Sequence, residues 1–172
     1  MLQPPDSPAP HSPADACVEH PGSPLCAADV ARGTIRMLLR HDLVAIAEVP
    51  LEGNRRADLM AIDARGHIVI VEIKVARADL LGDAKWPEYL GCCDRYYWAV
   101  PAGFDLRPLD GSAFLPKRTG IIVADRYDGA ILREARTEPL SAATRKRVTL
   151  AFGRRAGRRL IGLTDPDAAV LL

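Results

Sequence analysis

Residues 67–75 of the chain read HIVIVEIKV, a nearly unbroken apolar run that also carries one acidic and one basic side chain, Glu72 and Lys74. Runs of this length that are rich in β-branched residues are typical of a strand covered on both faces of a sheet. We therefore expect a central strand here. Burial of a carboxylate is unfavourable unless it is paired or binds a metal ion, so Glu72 marks a candidate functional site.

The sequence on either side of this strand predicts an α/β domain with a central mixed sheet. Pro87 falls inside one predicted helix, so that helix either breaks or begins at Trp86. The predicted elements, in chain order, are a helix over 27–41, strands over 43–50, 56–63 and 67–75, a helix over 79–93, a strand over 96–100, a strand pair over 120–124 and 130–134, and a basic helix over 141–159 capped by Ser141.

The composition predicts one folded domain that follows a tail. The chain has 172 residues, of which 48% are hydrophobic and 26% are charged, as in soluble globular proteins. Seven of the 14 prolines lie within the first 24 residues, so we expect a disordered proline-rich tail over residues 1–25 and the folded domain over residues 26–172. Cys17, His20 and Cys26 are of types that bind zinc, but their spacing fits no zinc finger, and unpaired thiols are the simpler interpretation.

The sequence argues against a membrane or secreted protein. No uncharged apolar run reaches the roughly 18 residues of a membrane-spanning helix. The N-terminal sequence MLQPPDSPAP lacks the basic and apolar regions of a secretory signal. We expect a protein of the reducing cytoplasm with no membrane partner. Its oligomeric state stays open.

Two acidic side chains are predicted to meet across the second hairpin. With a turn centred on Arg65, Asp58 lies directly opposite Glu72, and Lys74 shares the same sheet face. Directly paired β-carbons are about 5 Å apart, where like charges are destabilising. A divalent cation between the carboxylates would remove this conflict, and oxygen ligands suit Mg²⁺ or Mn²⁺, with the carbonyl of Ile73 as a further ligand.

Lys74 indicates which reaction this candidate metal site could catalyse. Its ammonium group can orient the attacking water and stabilise the charge that builds on a phosphate. We therefore predict phosphodiester hydrolysis, with Asp58, Glu72 and Lys74 as the catalytic residues.

This arrangement resembles the PD-(D/E)XK nuclease superfamily, with Ala57-Asp58 in the place of PD and Glu72-Ile73-Lys74 as the (D/E)XK triplet. The longer stretch RRADLMAID…IVIVEIKVARADLLGDAKWPEYLGCCDRYYWAVP is similar to the MmcB-like family of bacterial DNA repair proteins. The resemblance implies a restriction-endonuclease-like αβββαβ core, flanked by helices and followed by the strand pair and the basic helix. It also implies a metal-dependent nuclease that acts in DNA repair in association with the nucleoid, with repair or replication proteins as further candidate partners.

Three acidic residues near the site have open roles. Glu48 ends the first strand and is expected beside Asp58, either as a third metal ligand or as a strand-end surface residue. Asp79 and Asp83 are candidate outer ligands, although an N-cap is the simpler role for Asp79.

Basic and aromatic side chains near the site are candidate DNA contacts. Lys85 and Tyr89 look like the Q-x-x-x-Y helix motif of some superfamily relatives, with Lys in place of Gln; a solvated Lys beside a packed Tyr is the alternative. The helix over 141–159 carries seven basic residues and no acidic one, but it also has apolar residues with which to dock on the core. The predicted DNA-binding residues are Arg55, Arg56, Lys85, Tyr89, Arg145, Lys146 and Arg147.

Three other interpretations stay open at this point. The fold could serve a non-catalytic DNA-binding or protein-interaction module. The same site could hydrolyse RNA or nucleotides. Finally, Glu72 and Lys74 could form only a cross-strand ion-pair network, although two acids and one Lys leave an unpaired buried charge.

Overall fold

The computed structural model describes residues 24–168, and nearly every predicted element is present in it. The long elements end within a few residues of their predicted bounds. They are α1 (Ala27–Arg40), β1 (Leu43–Leu51), β2 (Arg55–Asp63), β3 (Ile68–Ile73), α2 (Arg77–Gly82), β4 (Arg95–Pro101), β5 (Gly120–Ala124), β6 (Gly129–Arg133) and α3 (Ala142–Thr164), with short 3-10 helices at Trp86–Gly91, Arg107–Asp110 and Ser112–Phe114.

The six strands form one mixed sheet in the order of the chain, from β1 to β6. The β1–β2, β2–β3 and β5–β6 pairs are antiparallel, whereas β4 runs parallel to both β3 and β5. Every residue of β3 is buried, so the prediction of a central strand is confirmed. The predicted α/β class with a mixed sheet flanked by helices is confirmed as well.

The sheet is covered by helices on both faces. On one face, α1 contributes Val30, Met37 and Leu38 to a core with alternate residues of the central strands. On the other face, α2, the 3-10 helix Trp86–Gly91 and α3 pack over the remaining alternate residues. Since Asp58 and Glu72 are at even positions with Met60 and Ile70, they belong to the second face, beyond the end of its apolar core.

The segment between β3 and β4 differs from the single helix predicted over 79–93. It forms α2 and then the 3-10 helix Trp86–Gly91, with Pro87 in the first turn of the latter. The break that Pro87 predicted is therefore real. Because a 3-10 helix has about three residues per turn, Lys85 and Tyr89 do not share a face as they would in an α-helix.

The helix at the C-terminal end begins as predicted. Ser141 is its N-cap, and the Ser141 side chain accepts a hydrogen bond from the Thr144 N–H at 3.1 Å. The side chains of Val148 and Phe152 dock α3 on the core. The apolar residues of this basic helix thus serve packing.

The N-terminal prediction falls largely outside the described residues. Residues 1–23 are not described, so the predicted tail over 1–25 stays a prediction. Cys26 is disulfide-bonded, whereas Cys92 and Cys93 are free thiols, so the expectation of unpaired thiols is wrong for Cys26. Within residues 24–168, no helix has the length and apolar character needed to cross a membrane.

Candidate active site

Two carboxylates from neighbouring strands meet on the sheet. Leu59 pairs with Val71, so Asp58 and Glu72 are the next residues to face each other. The Asp58 N–H donates to Glu72 Oε1 at 3.2 Å, and the Ile73 N–H donates to Asp58 Oδ2 at 2.8 Å. Each carboxylate thus accepts a backbone N–H of the neighbouring strand just beyond the last backbone pair of β2 and β3. The predicted register of the two strands is confirmed.

Burial and repulsion shift the titration of both carboxyl groups. Glu72 is only 4% exposed, and this burial, together with the charge of Asp58, raises the pKa of Glu72 from 4.5 to about 8. Burial also raises the pKa of Asp58, although the Ile73 N–H and the charge of Lys74 oppose the shift. A cation at this point would relieve both the desolvation and the repulsion, so the pair is chemically suited to bind one.

Lys74 directly follows β3 and is held by acids from the following segment. Its ammonium group is 2.9 Å from Asp83 Oδ2 and 3.7 Å from Asp79 Oδ1. Burial by itself lowers the pKa of Lys74, but the hydrogen bond and charge of Asp83, with the charge of Asp79, outweigh it and raise the pKa. Lys74 therefore stays protonated at neutral pH, although it is 7% exposed.

Asp83 connects this lysine to the local backbone. Asp83 Oδ1 accepts hydrogen bonds from the Lys85 N–H at 3.2 Å and the Trp86 N–H at 3.1 Å, at the start of the 3-10 helix. The other oxygen of the same carboxylate binds Lys74. One residue thus fixes the start of a helix and the position of the amine.

Asp79 does not have its expected role as an N-cap. The N-cap of α2 is Ala76, because the helix begins at Arg77 rather than at residue 79. Asp79 instead lies in the first turn, where a carboxylate is favourable near the positive end of the helix dipole. The N-cap prediction is wrong, and the carboxylate of Asp79 is a partner of Lys74.

Glu48 lies opposite Asp58 but has other partners. The β1–β2 pairing includes Ala47 with Leu59 and Val49 with Ala57, and it omits the Glu48–Asp58 position between them. Glu48 has a φ of +52°, a left-handed conformation that is uncommon for a residue with a side chain. Non-glycine residues held in this region often occur at functional sites.

The carboxylate of Glu48 is engaged by arginines. Glu48 Oε1 is 3.6 Å from Arg56, and Glu48 Oε2 is 4.0 Å from Arg155 on α3. The structure therefore gives Glu48 basic partners, and its predicted role as a third metal ligand stays a prediction.

An open cleft of about 820 Å³ gives access to the two carboxylates. It brings together side chains from both helical layers and from three strands. The charged and central residues of its lining are Arg32, Arg36, Glu48, Asp58, Glu72, Ile73, Lys74, Asp79 and Arg159. The cleft is large enough for a phosphate group and its neighbouring sugars, and it has both signs of charge on its walls.

The side chains in the cleft fit a divalent cation that the substrate helps to hold. Within residues 24–168, no three or more His, Cys, Asp and Glu side chains form a group that could hold a metal ion. Mg²⁺ sites nonetheless often use one or two carboxylates and complete the shell with water and phosphate oxygens. Asp58 and Glu72 supply such a pair, and the Ile73 carbonyl remains a candidate ligand.

Of the predicted DNA contacts beside the site, Arg55, Arg56 and Tyr89 have protein partners. Arg55 forms an ion pair with Glu88, and its guanidinium also donates to the Glu52 carbonyl at 3.3 Å. The Tyr89 hydroxyl donates to the carbonyl of Arg56 at 3.1 Å. Burial and the charges of Glu72 and Asp58 raise the pKa of Tyr89 to about 12, so the hydroxyl stays protonated. Lys85 is exposed at the N-cap of the 3-10 helix.

The three basic residues predicted at the start of α3 differ in environment. Arg145 donates to both oxygens of the buried Asp94, at 2.7 and 2.8 Å, so its guanidinium has a structural partner. Arg147 lies 3.0 Å from Glu52. Lys146 is exposed.

Sequence reasoning missed Asp94 and Arg159 and left the role of Asp83 open. Asp94 accepts hydrogen bonds from the Ile68 and Leu140 backbones as well as from Arg145. No local sequence pattern predicts these contacts, because the residues that form them are 26 to 51 positions apart in the chain. The role of Asp83 as the partner of Lys74 could have been predicted, because a buried lysine requires an acidic partner and few acidic residues follow Lys74 in the chain.

Comparison with known proteins gives the family. The family profile described as DNA repair protein MmcB-like matches residues 16–167. The chain belongs to the MmcB-like family of DNA repair proteins. A solved structure of a protein of unknown function from Silicibacter pomeroyi is 40% identical, with a TM-score of 0.72, and the match covers 84% of this chain and 94% of that chain. No curated protein matches the sequence. The family predicted from the sequence is confirmed.

Proposed function

We propose that this protein is a metal-dependent deoxyribonuclease of a DNA repair pathway, built on a restriction-endonuclease-like core. The observation that carries the proposal is the pairing of Asp58 and Glu72 across β2 and β3, with Lys74, just after β3, lining the same cleft. Two neighbouring buried carboxylates whose pKa values are both raised, and that open into a cleft, are what a cation site requires.

The side chains at the site have different roles in the proposed phosphodiester hydrolysis. Asp58 and Glu72 would hold Mg²⁺ or Mn²⁺, which supplies Lewis-acid polarisation of the phosphate and a more acidic water. Asp83 keeps Lys74 protonated and fixed, so that its charge can stabilise the phosphate being cut. The left-handed backbone at Glu48 interrupts the β1–β2 pairing next to Asp58, which leaves this part of the sheet open to the cleft.

DNA is the substrate that the family supports. The family is described by its role in DNA repair, and the basic residues of α3 supply local positive charge for a phosphate backbone. Repair and replication proteins remain candidate partners.

Cleavage of labelled oligonucleotides tests the proposal. Single-stranded, duplex, flapped and mismatched DNA are incubated with Mg²⁺, with Mn²⁺ or with EDTA. The wild type is expected to cut only with metal, and Asp58→Asn, Glu72→Gln and Lys74→Met are expected to abolish cutting. Lys117→Gln is the matched control, because Lys117 is exposed and outside the cleft. Cutting that survives in all three site variants contradicts the proposal.

One observation favours a second candidate, a DNA-binding module without catalytic activity. Two acids, Asp83 and Asp79, already neutralise the amine of Lys74, which leaves less charge for a phosphate. Isothermal titration with Mn²⁺ separates the two candidates. The nuclease requires binding by the wild type and loss of binding in Asp58→Asn. DNA binding with no Mn²⁺ affinity in either protein favours the module.

A further inference from the structure

Two arginines on α3 lie where the cleft opens beside Glu48. Arg155 and Arg159 are four residues apart, so they occupy one face of the helix about one turn from each other. Arg155 reaches within 4.0 Å of Glu48, and Arg159 lines the cleft together with Asp58 and Glu72. One face of the C-terminal half of α3 therefore borders the candidate active site, while Val148 and Phe152 dock the helix on the core.

The charge at this point of the cleft is poorly balanced. The single carboxylate of Glu48 serves both Arg56 and Arg155 and also interacts with the charge of Arg159. No acidic residue occurs anywhere in α3. Arg155 and Arg159 thus share one carboxylate, Glu48, which also pairs with Arg56, so positive charge is in excess at this point of α3.

The two guanidinium groups also have unused hydrogen-bond donors. The Nε atom of Arg155 is buried and has no acceptor within residues 24–168. Over the same residues, Arg159 forms no hydrogen bond and no ion pair. Burial and the nearby charge of Arg155 lower the pKa of Arg159, as expected for like charges held together without enough anions. An anion that entered here would satisfy both side chains.

We propose that Arg155 and Arg159 bind the backbone phosphates of a nucleic-acid strand next to the phosphate that lies at Asp58 and Glu72. The inference rests on the proposed function and adds the binding site for the substrate strand. The guanidinium fork matches phosphate oxygens in a two-bond geometry, which makes arginine well suited to this contact. The site differs from the basic cluster at residues 145–147, where Arg145 and Arg147 already have acidic partners.

Fluorescence anisotropy in EDTA measures this binding without cleavage. The probes are a fluorescein-labelled 20-nucleotide single strand and the corresponding duplex. The double variant Arg155→Gln/Arg159→Gln is expected to bind about tenfold more weakly than the wild type. The control Arg65→Gln/Arg136→Gln removes the same charge from two exposed residues outside the cleft and is expected to change affinity less than twofold.

The salt dependence gives a second readout. If both arginines contact phosphates, the slope of log K against log salt should become shallower by about 1.4 for the single strand or about 1.8 for the duplex. The variant Arg155→Lys/Arg159→Lys keeps the charge but loses the fork, so intermediate affinity is expected. Circular dichroism melts verify that each variant is folded.

The outcomes separate this inference from the nuclease proposal. Equal losses in the two Gln double variants would overturn the inference, because charge alone would then explain binding. Arginine-dependent binding by a wild type that never cuts DNA would support the inference and contradict the nuclease. Absence of DNA binding by the wild type would overturn both.

Discussion

Asp94 and Glu72 are buried carboxylates at opposite ends of β3, and their pKa values are shifted in opposite directions. Asp94 accepts backbone N–H groups of Ile68 and Leu140 at 2.7 and 2.9 Å, and both its oxygens bind Arg145. Although burial opposes it, these bonds lower the pKa of Asp94. Glu72 has one backbone donor and a second carboxylate beside it, and its pKa is raised to about 8.

The comparison shows how to separate structural from functional buried charge. Asp94 is 2% exposed and Glu72 is 4% exposed, so burial does not distinguish them. The number of donors does, because a saturated carboxylate contributes to folding whereas an unsaturated one beside a cleft is available for a cation. The predictions below test this difference.

The largest expected effect is on folding. Asp94→Ala leaves the Arg145 guanidinium and two backbone N–H groups without their acceptor. Breaking a buried ion pair in this way costs about 3–5 kcal/mol of unfolding free energy. Urea denaturation measures the loss. A change below about 1 kcal/mol would mean that Asp94 does not hold α3 to the sheet.

The next effect is on activity. Glu72→Gln keeps the shape of the side chain but removes the charge that a cation needs, so kcat/KM for DNA cleavage should fall about 100-fold or more. Unlike Asp94→Ala, this variant should lose no unfolding free energy at pH 7, because Gln cannot ionise in the buried site. A parallel loss of stability and activity would remove the distinction between the two carboxylates.

The pH dependence of stability should have opposite signs for the two residues. Because the pKa of Glu72 is about 8 in the folded protein and 4.5 as the ordinary value, stability should fall as pH rises from about 5 to 8. The lowered pKa of Asp94 means that its contribution is lost only as pH falls below 3.8.

Urea midpoints measured in EDTA between pH 4 and 9 check these signs. In Glu72→Gln, the urea midpoint should fall less toward pH 8 than in the wild type. Mn²⁺ added to the wild type at pH 8 should raise its midpoint again, because the ion binds the ionised carboxylate pair. If the decline is unchanged in Glu72→Gln, another group causes it.

The smallest effect concerns positioning. Asp83→Asn weakens the contact that holds Lys74, so kcat should fall about tenfold while the dissociation constant for DNA in EDTA stays the same. Asp83→Glu, which keeps the charge, should recover part of kcat. A change in DNA affinity instead of kcat would assign Asp83 to binding rather than to positioning.

The pairing of Asp58 with Glu72 could be predicted from the sequence because it depends on residues that are close together in the chain. Strand register follows from the length of a turn, so the turn at Arg65 was enough to place Asp58 opposite Glu72. The continuous apolar character of β3 likewise predicted its central position. These parts depend on residues close together in the chain.

The parts that failed depend on distant packing. The partners of Arg145 and Glu48 come from other elements, 51 residues away for Asp94 and on α3 for Arg155. The basic composition of α3 was visible, but the side of the helix that faces the cleft is set by the docking of Val148 and Phe152. For this reason, the end of α3 rather than its start lies at the cleft.

The break between α2 and the 3-10 helix Trp86–Gly91 limits how this crossover can vary. Asp83 occupies the break, where it accepts two backbone N–H groups with one oxygen and the amine of Lys74 with the other. A continuous helix through residues 83–86 would use those N–H groups internally and carry the carboxylate away from the lysine. Relatives that keep a lysine directly after β3 are therefore expected to keep the interruption as well. A relative with a continuous helix here would need another counter-ion for the amine.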